Sequence, residues 1–142
     1  MSPQARHSIR VHRPVSEVWR LWTDFERLPE FMGAISEVRV TGAGTSHWVA
    51  RGPLGAPFEW DARTTACEEN RRLAWESTGG DIRQTGEVRF EEVTAGETEL
   101  TLSIDYQPPG GLLGSALAAI VGRTGEQVAH DLERFKAYAE RQ

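Results

Sequence analysis

The last third of the chain sets the terms for everything before it. Residues Glu99 to Tyr106 alternate apolar and polar side chains, with Leu100, Leu102, Ile104 and Tyr106 on one face of a strand. Pro108-Pro109-Gly110-Gly111 stops that strand, and about thirty residues to the C-terminus then read as one amphipathic helix. Leu113, Leu117, Ile120, Thr124, Val128, Asp131, Leu132 and Phe135 recur there at spacings of three and four, near one helical face. A single helix laid on a strongly curved sheet has few atoms to fill the space beneath it. An apolar hollow between helix and sheet follows.

The preceding residues supply the sheet. Ser8 to His12 alternates with period two and is a first strand. A short helix follows over 15–23, with Val18, Leu21 and Trp22 on one face and Ser16 as its N-cap. Asp24 and Pro29 break the pattern, so a second short helix is read over 28–32. Ile35 to Val40 and Ser46 to Arg51 form a hairpin around Gly42-Ala43-Gly44. Phe58, Trp60, Ala62 and Thr64 share one face of the next strand, opposite Glu59, Asp61 and Arg63. Leu73 and Trp75 share a face after that, as do Ile82, Gln84, Gly86, Val88 and Phe90. Connections of hairpin length make such strands antiparallel. A run of strands with helices at both ends is an α+β arrangement, not α/β.

At 142 residues the chain is expected to be one domain, residues 1–142. A net charge of −5 with scattered arginines disfavours nucleic acid and anionic membrane surfaces, which select clustered positive charge. Neither a secretory signal nor a membrane-spanning apolar run is visible, so a cytoplasmic protein is expected. The single cysteine, Cys67, excludes an internal disulfide, and the histidines at 7, 12, 47 and 130 lack metal-ligand spacing. No metal and no cofactor are expected.

Several local signatures together resemble the START-like (SRPBCC) superfamily, and within it the bacterial polyketide cyclase/dehydrase type. They are Pro14-Val15-Ser16-Glu17-Val18-Trp19, Leu28-Pro29-Glu30-Phe31-Met32, Glu59-Trp60-Asp61-Ala62, Leu73-Ala74-Trp75, Gly86-Glu87-Val88-Arg89-Phe90 and Tyr106-Gln107-Pro108-Pro109-Gly110-Gly111. The helix ending Asp131-Leu132-Glu133-Arg134-Phe135-Lys136 completes the set. The resemblance implies a helix-grip fold, a seven-stranded antiparallel sheet wrapped around the C-terminal helix. The cavity it encloses takes lipids, sterols or polycyclic aromatics.

The cavity wall expected from these faces is Trp60, Thr64, Trp75, Gln84, Val88, Phe90, Leu102, Ile104 and Tyr106 on the sheet. Leu117, Ile120, Thr124 and Val128 face it from the helix. Gln84 and Thr64 are its polar members, and a buried Gln84 must find partners among neighbours, water or ligand. Leu54 and Leu112-Leu113 would stand at the mouth. The expected function is non-covalent binding of a hydrophobic small molecule, whether lipid, isoprenoid, polyketide or other aromatic. Two alternatives stand beside it. One is a cyclase/dehydratase, with Tyr106 and Arg51 as donor and charge stabiliser; the other is a protein-interaction module of the co-chaperone type. Parity leaves the directions of His47 and Arg51 undecided, and no acid–base pair emerges. The oligomeric state, a dimer included, is left open by the sequence.

Overall fold

The computed structural model describes residues 4–33, 35–51, 57–107 and 124–142, with the side chains at 4, 106, 107 and 124–126 outside that description. Seven strands form one antiparallel sheet: β1 (Gln4–Val11), β2 (Ile35–Gly42), β3 (Thr45–Arg51), β4 (Pro57–Glu68), β5 (Arg72–Gly80), β6 (Arg83–Thr94) and β7 (Glu97–Gln107). Their order is β1-β7-β6-β5-β4-β3-β2. The chain therefore leaves one edge of the sheet after β1, crosses to the opposite edge, and meanders back strand by strand. The crossing is made by α1 (Val15–Trp22) and a 3₁₀ helix (Phe25–Glu30). A last helix, α2 (Thr124–Glu140), packs beside β1.

The helix start differs from the sequence reading. Pro14, not Ser16, occupies the N-cap, and its carbonyl accepts the amides of Glu17 and Val18. Pro14 has the extended backbone a cap requires, which leaves Ser16 inside the first turn. The second short helix begins at Phe25 rather than at 28 and is 3₁₀, closed by bonds such as Arg27 N–H to Asp24 and Phe31 N–H to Leu28. Pro29 lacks the amide that an α-helical ladder would use, and a short 3₁₀ turn tolerates that loss.

An open sheet has two edges that could pair with another chain. Side chains from the helices occupy both. Lys136 Nζ donates to the Arg10 carbonyl at 2.9 Å, and the His12 amide donates to Glu140 Oε2 at 2.9 Å. At the far edge, Glu26 Oε2 accepts the Val40 amide at 3.0 Å.

Two packed clusters lie on the concave side. In the larger, Val128, Leu132, Phe135 and Ala139 of α2 meet Val18, Leu21 and Trp22 of α1 and Leu73, Val88, Phe90, Leu100 and Leu102 of the sheet. The smaller gathers Ala50, Trp60, Ala62 and Ile82, with Trp48 stacked on Trp60 at 6.0 Å. A register irregularity between Thr64 and Ala66 in β4 changes which face follows. It sets Cys67 opposite Leu73. The thiol is free and exposed. Among the described residues no helix is long and apolar enough to cross a membrane.

Candidate functional site

Strands β3, β4 and β5 lie side by side, and their concave faces carry Ser46, Trp48, Ala62, Thr64, Leu73 and Trp75. The crossing segment covers this wall with Trp22, Phe25, Leu28 and Met32, leaving an apolar cavity of about 30 Å³. Trp48, Thr64, Trp75, Phe25 and Met32 are half-buried there, while Trp22 and Leu28 are fully buried.

Trp75 owes its pose to a missing side chain. Its register partner is Gly86, and a Cβ at that position would lie 2.2 Å from the indole. The ring therefore lies over Gly86 of β6, and Trp75 Nε1 donates to Gln84 Oε1 at 3.2 Å. Gln84 has its own amide N–H on Ser77 Oγ at 2.9 Å, so this buried glutamine is braced by neighbours. Trp48 Nε1 donates to Ser46 Oγ at 2.8 Å. Both indole N–H groups are thus satisfied internally. The buried Ser46 hydroxyl accepts from Trp48, and its hydrogen has no acceptor among the described residues. Arg63, between Ala62 and Thr64 in β4, turns its side chain to the opposite, exposed face, where Nε donates to Glu76 at 2.6 Å.

The sequence-derived residues distribute unevenly. Thr64 and Trp75 line the cavity, and Gln84 stands behind Trp75. Trp60 belongs to the adjacent stacked cluster, and Ile104 is half-buried beside the larger one. Val88, Phe90, Leu102 and Val128 are buried in the larger cluster, Phe90 edge-on to Trp19 at 5.1 Å. The side chains of Tyr106 and Thr124, and all of Leu117, Ile120, Leu54 and Leu112-Leu113, lie outside the described residues. Arg51 is exposed at the end of β3, where Nη1 donates to the Gly33 carbonyl at 2.7 Å. Sequence reasoning missed Trp22, Phe25, Leu28 and Met32, which come from the crossing segment, and Ser46 and Trp48 from β3. The cross-strand pair Trp48 with Trp60 carries the missing signal, since directly opposed residues share a face.

Two charged groupings lie outside the cavity. On the convex face, His47 holds Asp61 through Nδ1 at 2.8 Å and Glu59 through Nε2 at 2.7 Å. These bonds, Asp61's first, raise the imidazole above its ordinary pKa of 6.5. The fold thus favours imidazolium, so this contribution is complete below the ordinary pKa and is lost as pH rises through the elevated one. Wild-type melting midpoints should therefore fall relative to those of His47→Gln as pH rises above the ordinary imidazole pKa, by thermal unfolding. A gap independent of pH would contradict this. The other grouping surrounds Asp131 of α2, which is buried. Burial pushes its carboxyl above the ordinary aspartate range; the Gly33 amide, Gln127 and the charges of Arg134 and His130 pull it back only in part.

Larger hollows of about 520 and 450 Å³ lie at the splayed end of β5–β6 and along β5, β6 and β7. Both carry charged side chains, among them Glu76 and Asp105, and the pair Arg72–Glu87 at 3.0 Å lies on one of them. They do not suit an apolar ligand.

Residues 11–133 match the model of the family described as polyketide cyclase / dehydrase and lipid transport. An uncharacterized 17.2 kDa protein of Streptomyces lincolnensis, from the melC2-rnhH intergenic region, is 31% identical over 137 residues, 96% of this chain and 89% of that protein. The crystal structure of DR_A0006 from Deinococcus radiodurans is 29% identical, with a TM-score of 0.73 over 94% of this chain and 95% of that one. The Zhui aromatase/cyclase of Streptomyces sp. R1128 shares the fold, with a TM-score of 0.79 at 19% identity over 99% and 95% of the two chains.

Proposed function

Because the chain belongs to the polyketide cyclase / dehydrase and lipid transport family, we propose that it acts as one domain, residues 1–142, binding a hydrophobic small molecule non-covalently in the cavity between the sheet and the crossing segment. The molecule is a lipid, an isoprenoid, a polyketide or another aromatic. The observation that carries this reading is the apolar cavity between Trp48 and Trp75, walled by the sheet on one side and the crossing segment on the other.

The physical case has two parts. Burial of apolar ligand surface supplies the affinity, at about 25 cal/mol per Å² before the costs of association. Orientation falls to the hydroxyls of Ser46 and Thr64, which can donate to a ligand oxygen. With both indole N–H groups already committed, the wall suits a neutral oxygen better than a carboxylate. Arg51 is exposed at the end of β3 on a backbone carbonyl, and no acid–base pair lines the cavity among the described residues.

A thermal-shift screen against fatty acids, sterols, isoprenoids, flavonoids and polycyclic aromatics tests the proposal. A ligand at a hundred times its Kd should add about 2.7 kcal/mol of stability. For a hit carrying a hydroxyl or carbonyl, Ser46→Ala with Thr64→Val should weaken binding by about tenfold, the loss of one to two hydrogen bonds. No shift with any class, and no co-purified small molecule by native mass spectrometry, would defeat the reading.

A further inference from the structure

The cavity holds about 30 Å³, and ligand sites are about 300 Å³ or more, so an entering molecule must displace part of the wall. The sheet side is fixed by its ladders. On the other side Trp22 and Leu28 are fully buried, and Phe31 is held between Trp22 at 5.7 Å and Phe135 at 4.9 Å. Met32 is different. It is half-buried and precedes Gly33, an exposed corner held from two separate elements.

The Gly33 amide donates to Asp131 Oδ1 of α2 at 3.1 Å, and its carbonyl accepts from Arg51 Nη1 at the end of β3 at 2.7 Å. Asp131 Oδ1 also accepts from Gln127 Nε2 at 2.9 Å and lies 3.4 Å from Arg134 Nη1. A Cβ on Gly33 would sit 2.4 Å from that same Arg134 nitrogen, so the corner passes directly beneath the guanidinium. The remaining bonds of the turn, Met32 N–H to Leu28 and Ile35 N–H to Met32, stay within it. One residue, through the two peptide units that flank its Cα, therefore ties the corner to both helix and sheet by two charge-assisted hydrogen bonds.

We propose that the Asp131–Gly33–Arg51 clamp is the latch of the cavity, and that a ligand enters when Gly33 parts from Asp131 and Arg51 and Met32 swings away from the sheet. The inference rests on the ligand-binding reading of the preceding subsection. It assigns Asp131 and Arg51 a positioning role, since both act on the wall through Gly33 and neither lines the cavity among the described residues.

The test follows entry and the latch separately. Entry is measured by stopped-flow fluorescence with Nile red, a neutral apolar dye. The latch is followed by hydrogen exchange at the Gly33 amide, which needs no ligand. Asp131→Ala and Arg51→Met should each speed Nile red association by about tenfold, the factor for one lost hydrogen bond to a charged group. Gly33 exchange should accelerate in both. Arg51 is exposed, so its variant keeps the experiment decisive even if Asp131→Ala unfolds the protein. Saturable Nile red binding with an unchanged association rate in Arg51→Met overturns the latch and leaves the ligand reading standing. Absence of saturable binding in the wild type defeats the ligand reading, and the latch with it, whatever Gly33 exchange does.

Discussion

Replacement of Phe135 by alanine is expected to lower the free energy of unfolding by about 3–5 kcal/mol. Phe135 is completely buried, at 0% exposure, and stands edge-on to Trp22 at 5.0 Å and to Phe31 at 4.9 Å. Those two rings are themselves 2% exposed, so the surroundings cannot collapse into the space the phenyl vacates. The loss is therefore the transfer term plus a cavity that persists. Denaturant unfolding of wild type, Phe135→Leu and Phe135→Ala should rank in that order. A loss below about 1 kcal/mol for the alanine variant would mean that α2 does not dock on the crossing segment as described. The consequence reaches function, because this contact holds α2 against the segment that covers the cavity.

Gly86→Ala should produce the second large effect, about 1–3 kcal/mol from overpacking. The added methyl would lie 2.2 to 2.8 Å from three atoms of the Trp75 indole. Movement of that ring also breaks its hydrogen bond to Gln84, worth about 1 kcal/mol, and leaves a buried carbonyl unpaired. Trp75 forms part of the cavity wall, so near-ultraviolet circular dichroism and the indole N–H resonance should shift along with stability. A double-mutant cycle with Trp75→Phe separates the cause. If the clash is the cause, Gly86→Ala should cost much less beside the smaller ring. Additive costs would show that Gly86 matters for its backbone alone.

The effects differ in how far the sequence discloses them. The importance of Phe135 is legible, since it falls on the apolar face of a 3.6-residue period. That of Gly86 is not. It shares a face with Val88 and Phe90 by alternation, and nothing local says that an indole from the neighbouring strand lies across it. The same blindness covers β3. His47 and Arg51 had no fixed direction until the pairing of Trp48 with Trp60 turned the even-numbered residues inward and His47 out to Asp61 and Glu59. It also covers Cys67, whose face depends on one extra residue in β4.

Periodicity and punctuation were enough to establish the element order, and the signatures from Pro14 to Lys136 pointed to the helix-grip fold, because a period of two or 3.6 is written in neighbouring residues. The cavity's outer wall, the partners of the buried Gln84 and the clamp on Gly33 were decided only in three dimensions. The clamp joins residues 98 apart in sequence, Gly33 and Asp131. Such contacts depend on how strands register and how a crossing segment lies over them, and a shift of one residue would exchange every face.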